Sequence, residues 1–213
     1  ETIWLNILPS KQSLTLSINM ANSLIFATGN RHKLGEVQSF LGDSFALSCL
    51  KDVGITEDIP ETADTLEGNA LQKALYVYHK CGCACFSDDT GLEIEALNGE
   101  PGVHSARYAG SHKNDQDNVK KVLKLLQGET NRRARFRTVI AYIDKSGESR
   151  FFEGEVRGTI IESCHGTEGF GYDPIFMPDG YDCTFAELSL NEKNKISHRA
   201  RALQKFLLFL KPS

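Results

Sequence analysis

Asp88 and Asp89 stand side by side in "CFSDDTG", after an apolar run and before the hydroxyl of Thr90. A carboxylate so placed can bind Mg²⁺ or take a proton from water. It can equally cap a helix or close a turn. Side chains alternate along a strand, so if the strand persists only one of the two acids faces a given site. Upstream, "ATGNRHK" turns through Gly29 into an amphipathic segment. A strand that turns into a helix aims backbone N–H groups and the positive helix end at the turn. Lys33 adds a full charge, and the set suits a triphosphate, although the pattern GxxxxGK[ST] is absent. A capped helix start with an exposed lysine uses the same residues.

Three further stretches carry reactive types. "TEDIPETADTLEGN" holds Glu57, Asp58, Glu61, Asp64 and Glu67. Such a run is a solvated loop, or one member completes a metal site with an aspartate. "EGFGYD" sets glycines beside Phe170, Tyr172 and Asp173. Glycine lets backbone approach a ligand closely, and either ring can stack on a base; a structured turn is the alternative. In "NEKNKISHRARAL", a Ser197 cap puts His198 and Arg199 in a first helical turn, where cations oppose the dipole. An anion or oxygen-rich ligand there offsets the conflict; otherwise the segment is a basic surface.

These residues need elements to position them. "SLIFAT" reads as a strand, and Leu34, Val37 and Leu41 mark a helix after it with Asn30 as N-cap. "FALSCL" is a second strand. An apolar arc from Leu66 to Tyr78 predicts a helix over 66–79, with Lys73 at its edge and able to reach past the core. "CACFS" predicts a strand that delivers the two aspartates at its end, and Cys81, Cys83 and Cys85 are expected on one strand face. A polar helix follows around 115–127. "RARFRTVIAYI" and "RFFEGEVRGTII" flank "DKSGES" as a hairpin. A last helix spans 198–210, capped by Ser197 and stopped by Pro212. Helices and strands interleave and a hairpin interrupts, which predicts α/β with a mixed sheet.

The chain has 213 residues, 40% hydrophobic and 24% charged, with a net charge of -4. That length supports one sizeable core or two intimate lobes. The charge argues against non-specific nucleic-acid binding. No run reaches membrane-span length, and no signal peptide is read before Met20. Residues 1–19 are expected to be an N-terminal extension, with Met20 an alternative start, ahead of a single domain over 20–213. The six cysteines lack zinc-site spacing, and a reducing cytosol is the default setting.

Taken in order, "FATGNRHKLGEV", "ETADTLEGNALQKA", "SDDTGLEIEALNGEPGVHSARYAG", "GFGYDPIF", "FAEL" and "EKNKISHRARAL" resemble the inosine/xanthosine triphosphate pyrophosphatase family over about residues 23–210. The resemblance implies Mg²⁺-dependent hydrolysis of ITP, dITP and XTP to monophosphate and pyrophosphate. It implies an elongated α/β fold with two lobes, a long mixed sheet and a central cleft, assembled as a cytoplasmic homodimer. Carried over, Thr28, Gly29, Asn30, Arg31, His32 and Lys33 hold phosphates, as does Lys73. Glu61 and Asp89 bind the metal, and Asp89 also accepts a proton. Thr90 keeps a hydroxyl often supplied by serine. Phe170, Gly171, Tyr172 and Asp173 surround the nucleoside, and Lys193, His198 and Arg199 complete the site. Donors from Arg199 or nearby backbone are expected to read the oxygen at C6 of the base. Three rival readings are a related house-cleaning pyrophosphatase for other modified nucleotides, a non-catalytic nucleotide sensor, and a nucleic-acid module built on Arg132, Arg133, Arg135 and Arg137.

Overall fold

The computed structural model describes residues 23–42 and 45–210, so residues 1–19, Met20 and Pro212 lie outside the described residues. The fold is α/β, as expected. A seven-stranded mixed sheet has the order β2-β1-β3-β5-β6-β7, with β4 paired to β3. Strands β1 (Ser23–Phe26), β2 (Ala46–Cys49) and β3 (Cys85–Ile94) run parallel; β5 (Arg133–Ile143), β6 (Ser149–Ile160) and β7 (Phe176–Pro178) continue antiparallel, and β4 is the short Pro101–Gly102. No helix among the described residues is long and apolar enough to cross a membrane.

The connection from β1 to β2 carries α1 (Arg31–Leu41), and the return from β2 to β3 carries α2 (Leu66–Cys81). The two helices cover opposite faces. Val37 and Leu41 of α1 pack with Phe26, Phe86 and the C-terminal helix, whereas Ala70, Ala74 and Val77 of α2 pack with Cys85 and Ala141. The chain thus leaves β1 in one direction and returns on the other side to β3. A crevice opens beyond the carboxyl ends of two such strands, where ligands of open α/β sheets bind. The second lobe is built on the far halves of β3, β5 and β6. Its core joins Phe136, Phe176 and Phe185 with Val119 and Val122 of α3 (Asp115–Leu125).

The chain closes with α4 (Leu190–Ile196) and α5 (His198–Leu210), and Ser197 Oγ accepts from Ala200 N at 3.2 Å, the predicted cap. Gly154 of β6 lets α5 come close: a Cβ there would lie 2.1 Å from the His198 carbonyl oxygen. Ala200, Leu203 and Phe206 form the buried stripe, with Ile196, Leu207 and Leu210 half-buried at its edges.

Three expectations are corrected. β3 does not end at the aspartates but pairs with β5 from Cys85 to Ile94, because β5 supplies an unbroken ladder past them. The three cysteines share no strand face: α2 runs through Cys81, Gly82 caps it at φ 62, and the strand starts only at Cys85. The arginine run is not a bare basic face. Arg133, Arg135 and Arg137 pair with Asp179, Glu93, Glu155, Glu153 and Glu67, and Arg132 donates to three backbone carbonyls.

Candidate active site

The two lobes enclose a cavity of about 540 Å³. All the predicted site residues line it except Arg31 and His32, which are exposed. Asp89 therefore meets Lys33, Lys73 and the Phe170 loop on one surface.

The alternation of β3 separates the adjacent acids. Asp89 faces α2. Its Oδ1 lies 3.2 Å from Lys73 Nζ, and its Oδ2 accepts from Asn69 Nδ2 at 3.4 Å. The same Lys73 ammonium donates to Glu61 Oε1 at 2.7 Å. Lys73 sits in α2 with its stem against the core, which is how a charged group reaches a partly buried site. Burial pushes the Asp89 carboxyl up, Lys73 and Lys33 oppose this, and the balance stays above the ordinary aspartate value. Burial also raises Glu61, but Lys73 and Arg107 outweigh it and hold that carboxyl at about 2. Lys73 itself is penalised by burial, yet Asp89 and Glu61 raise it above a free lysine. One basic carboxylate and one firmly ionised carboxylate thus share a single ammonium.

Asp88 faces α1 and α5, away from that pair. Lys33 Nζ donates to its Oδ1 at 3.0 Å and Arg199 Nε to its Oδ2 at 3.0 Å. Burial opposes ionisation, but Lys33, Arg199 and Lys73 overcome it and hold the carboxyl well below its usual range. Arg199 also donates to Glu36 through Nη1 and to Thr90 Oγ1 through Nη2 at 3.1 Å. The guanidinium expected to read the base thus has three donors turned to protein groups. Lys193 Nζ joins the network, 2.7 Å from Glu36 Oε1 and 2.6 Å from Asp173 Oδ2. The cations near the start of α5 are offset by these internal carboxylates rather than by a ligand.

The turn after β1 is also more occupied than expected. Asn30 Oδ1 accepts from His32 N at 2.9 Å and Lys33 N at 3.1 Å, and Thr28 Oγ1 accepts from Asn30 N. Asn30 is the predicted cap, and it uses two of the backbone donors foreseen for a phosphate. Open space at Gly29, the helix dipole and the Lys33 ammonium remain. His32 leaves the phosphate end and stacks on Phe170, with centroids 5.3 Å apart. Phe170 also lies under Lys193 Nζ at 5.1 Å. Asp173 Oδ2 accepts from Phe170 N at 2.9 Å and fixes the loop through Gly169, which is left-handed at φ 75. Tyr172 is buried in the second lobe, and its hydroxyl donates to the Ser105 carbonyl. Phe170 is therefore the ring placed to stack on a ligand. His198 stacks on Phe136, and its buried Nδ1 has no hydrogen-bond partner among the described residues. Burial first, then Arg199 and Lys193, push its pKa well below 6.5, so the ring is neutral.

Four contributors were not singled out from the sequence: Glu36, Asn69, Ser105 and Arg107. Glu36 sits one position from the buried Val37, but its partners lie 157 and 163 residues away. No local pattern marks it. Asn69 shares the buried arc of α2 with Ala70 and Lys73, and a polar residue on such an arc is a usable signal. Arg107 donates to Glu61 Oε2 at 2.9 Å from across the cavity.

The chain is similar to known proteins in sequence and in fold. A model described as the Ham1 family matches residues 24–209. The dITP/XTP pyrophosphatase of Flavobacterium johnsoniae is 53% identical over 184 residues, covering 86% of this chain and 95% of that one. The protein of the same name from Porphyromonas gingivalis is 54% identical over 188 residues, 88% and 96% of the two chains. Among solved structures, a HAM1 protein from Coxiella burnetii superposes with a TM-score of 0.81 at 36% identity, covering 89% of this chain and 98% of that one. The Staphylococcus aureus Ham1 protein gives 0.80 at 37%, with the same coverage. On sequence and fold alike, the chain belongs to the Ham1 family.

Proposed function

We propose that the chain hydrolyses non-canonical purine nucleoside triphosphates, ITP, dITP and XTP, to the monophosphate and pyrophosphate, clearing them from the nucleotide pool. Relatives named dITP/XTP pyrophosphatase support this reading. The observation that carries it is the meeting of Asp89, Glu61, Lys73, Lys33 and the Phe170 ring on one cavity.

Mg²⁺ fits the donors present. Glu61 and Asp89 turn oxygens to one ammonium, so they converge on a single cationic position. Both are hard oxygen donors, and Mg²⁺ typically takes one or two carboxylates and fills its shell with water and substrate phosphates. When bound, the ion neutralises phosphate charge and makes pyrophosphate a better leaving group.

The chain's own residues do the rest. Lys33, Lys73 and the start of α1 offset the remaining anionic charge. Asp89 accepts the proton of a water attacking the α-phosphorus in line with the departing pyrophosphate. Phe170 offers a face to the purine, and His198 lines the same cavity with a buried Nδ1 that has no partner among the described residues. A site with buried polar groups left unpaired rejects the wrong base strongly. The family resemblance is what supports a homodimer in the cytoplasm.

The test is product analysis with ITP, dITP, XTP, GTP and ATP, with and without Mg²⁺. Monophosphate plus pyrophosphate from the first three, far faster than from ATP and only with the metal, is expected. Release of orthophosphate, or ATP cleaved as fast as ITP, would sink the reading.

A further inference from the structure

Arg107 is a cation on the cavity wall that pairs with Glu61. It ends a tight turn in the second lobe, Ser105–Arg107. The turn is fixed at its root: Ser105 Oγ accepts from Leu92 N at 2.9 Å and donates to the Gly102 carbonyl at 2.6 Å, while the Ser105 carbonyl takes the Tyr172 hydroxyl. The arm is free, with a side chain 40% exposed on the cavity wall. Among the described residues Glu61, in the other lobe, is the one side-chain partner of its guanidinium. The remaining N–H groups of a planar fork are open, and such a fork matches phosphate oxygens in pairs.

The charges on the cavity suggest when that fork changes partner. Lys33 is held by Asp88, Lys73 by Asp89 and Glu61, and Arg107 by Glu61. Each of these cations already has a carboxylate partner, and Asp88 has Arg199 as well. Both oxygens of Glu61 are taken, one by Lys73 and one by Arg107. A divalent ion on Glu61 repels both of these cations and competes with them for its charge, and the cations it drives off need anions. The phosphates of a nucleotide supply them.

Resting on the triphosphate reading above, we propose that Arg107 is a substrate-binding residue that exchanges partners. It holds Glu61 across the empty cleft and passes to the outer, departing phosphates when ion and nucleotide enter together. The exchange couples the two ligands: the ion alone meets occupied carboxylates, and the nucleotide alone meets occupied cations. It also makes a cross-lobe tether of the empty state into a clamp on the leaving group.

The experiment uses the full chain and its Arg107→Gln and Arg107→Lys variants, with thermal melts confirming that all three fold. Three probes are titrated calorimetrically: Mn²⁺ alone, IMP, and α,β-methylene-ITP with Mg²⁺. Arg107→Gln is expected to weaken the triphosphate analogue about tenfold to a hundredfold, the scale of one or two charge-assisted hydrogen bonds. IMP, which lacks the outer phosphates, should bind unchanged, and Mn²⁺ alone should bind no more weakly than to the unmodified chain. Arg107→Lys should fall between, keeping the charge without the fork. Equal losses for IMP and the analogue, weaker Mn²⁺ binding without nucleotide, or an analogue bound as tightly by Arg107→Gln would each overturn the exchange while leaving the pyrophosphatase reading intact. An unmodified chain that neither cleaves ITP nor binds the analogue would remove both.

Discussion

Asp88 and Asp89 are neighbours in sequence and lie in different chemical worlds. On the α1 and α5 side of β3, Asp88, Glu36 and Asp173 lock Lys33, Lys193 and Arg199 into a buried lattice in which each acid has a cation within about 3 Å. On the α2 side, Asp89 and Glu61 share Lys73, and Arg107 reaches in from an exposed stem. In the first cluster Asp88 and Glu36 each meet two cations and are held below their ordinary values, whereas burial keeps Asp173, which meets Lys193 alone, above its own. In the second, Asp89 meets one ammonium, and its carboxyl stays above the ordinary value. Burial alone does not set the direction of the shift, since both aspartates are buried. The count of cations around each one decides.

The sharpest way to break this comparison is Asp89→Asn. It removes the proton acceptor but leaves Lys73 paired with Glu61, so kcat should drop on the order of 10²–10⁴-fold with little change in melting temperature. Rates of pyrophosphate release and a thermal melt check both halves. A large loss of stability with modest loss of rate would mean that the two clusters do the same job.

Glu36→Gln should behave in the opposite way. Removing one acid from the lattice leaves more buried cations than carboxylates, at a cost on the order of 3 kcal/mol, read by urea unfolding. Burial raises Glu36, but Arg199 and Lys193 prevail and hold it below the ordinary glutamate value of 4.5. The unfolded chain therefore takes up this proton before the folded one does. The stability due to Glu36 is complete above about pH 4.5 and is lost as pH falls toward the folded value. Between those limits the variant's stability should depend less on pH than the unmodified chain's.

The smallest effect concerns the base end. Phe170→Ala should raise KM for ITP by a factor matching about 1–3 kcal/mol of stacking, with kcat nearly kept. Equal KM values would mean that the His32–Phe170 stack is only a contact between the lobes.

The amino-acid sequence by itself determined the local pieces. Alternation put Asp88 and Asp89 on opposite faces, Asn30 and Ser197 announced helix starts, and the hairpin around Gly147 was legible from its turn residues. Motif order carried the family, and nearly all the site residues carried over with it lie on the cavity wall. Those are properties of neighbours three or four positions apart, where spacing and propensity suffice. Tertiary structure alone decided how many cations surround each acid, that Tyr172 turns into the core while Phe170 stays at the cavity, and that Glu36 and Arg107 join the ion pairs around it. Each of these depends on partners brought from distant segments, and on how much water that packing excludes. Both control the charge of a side chain, and neither is written in its local spacing.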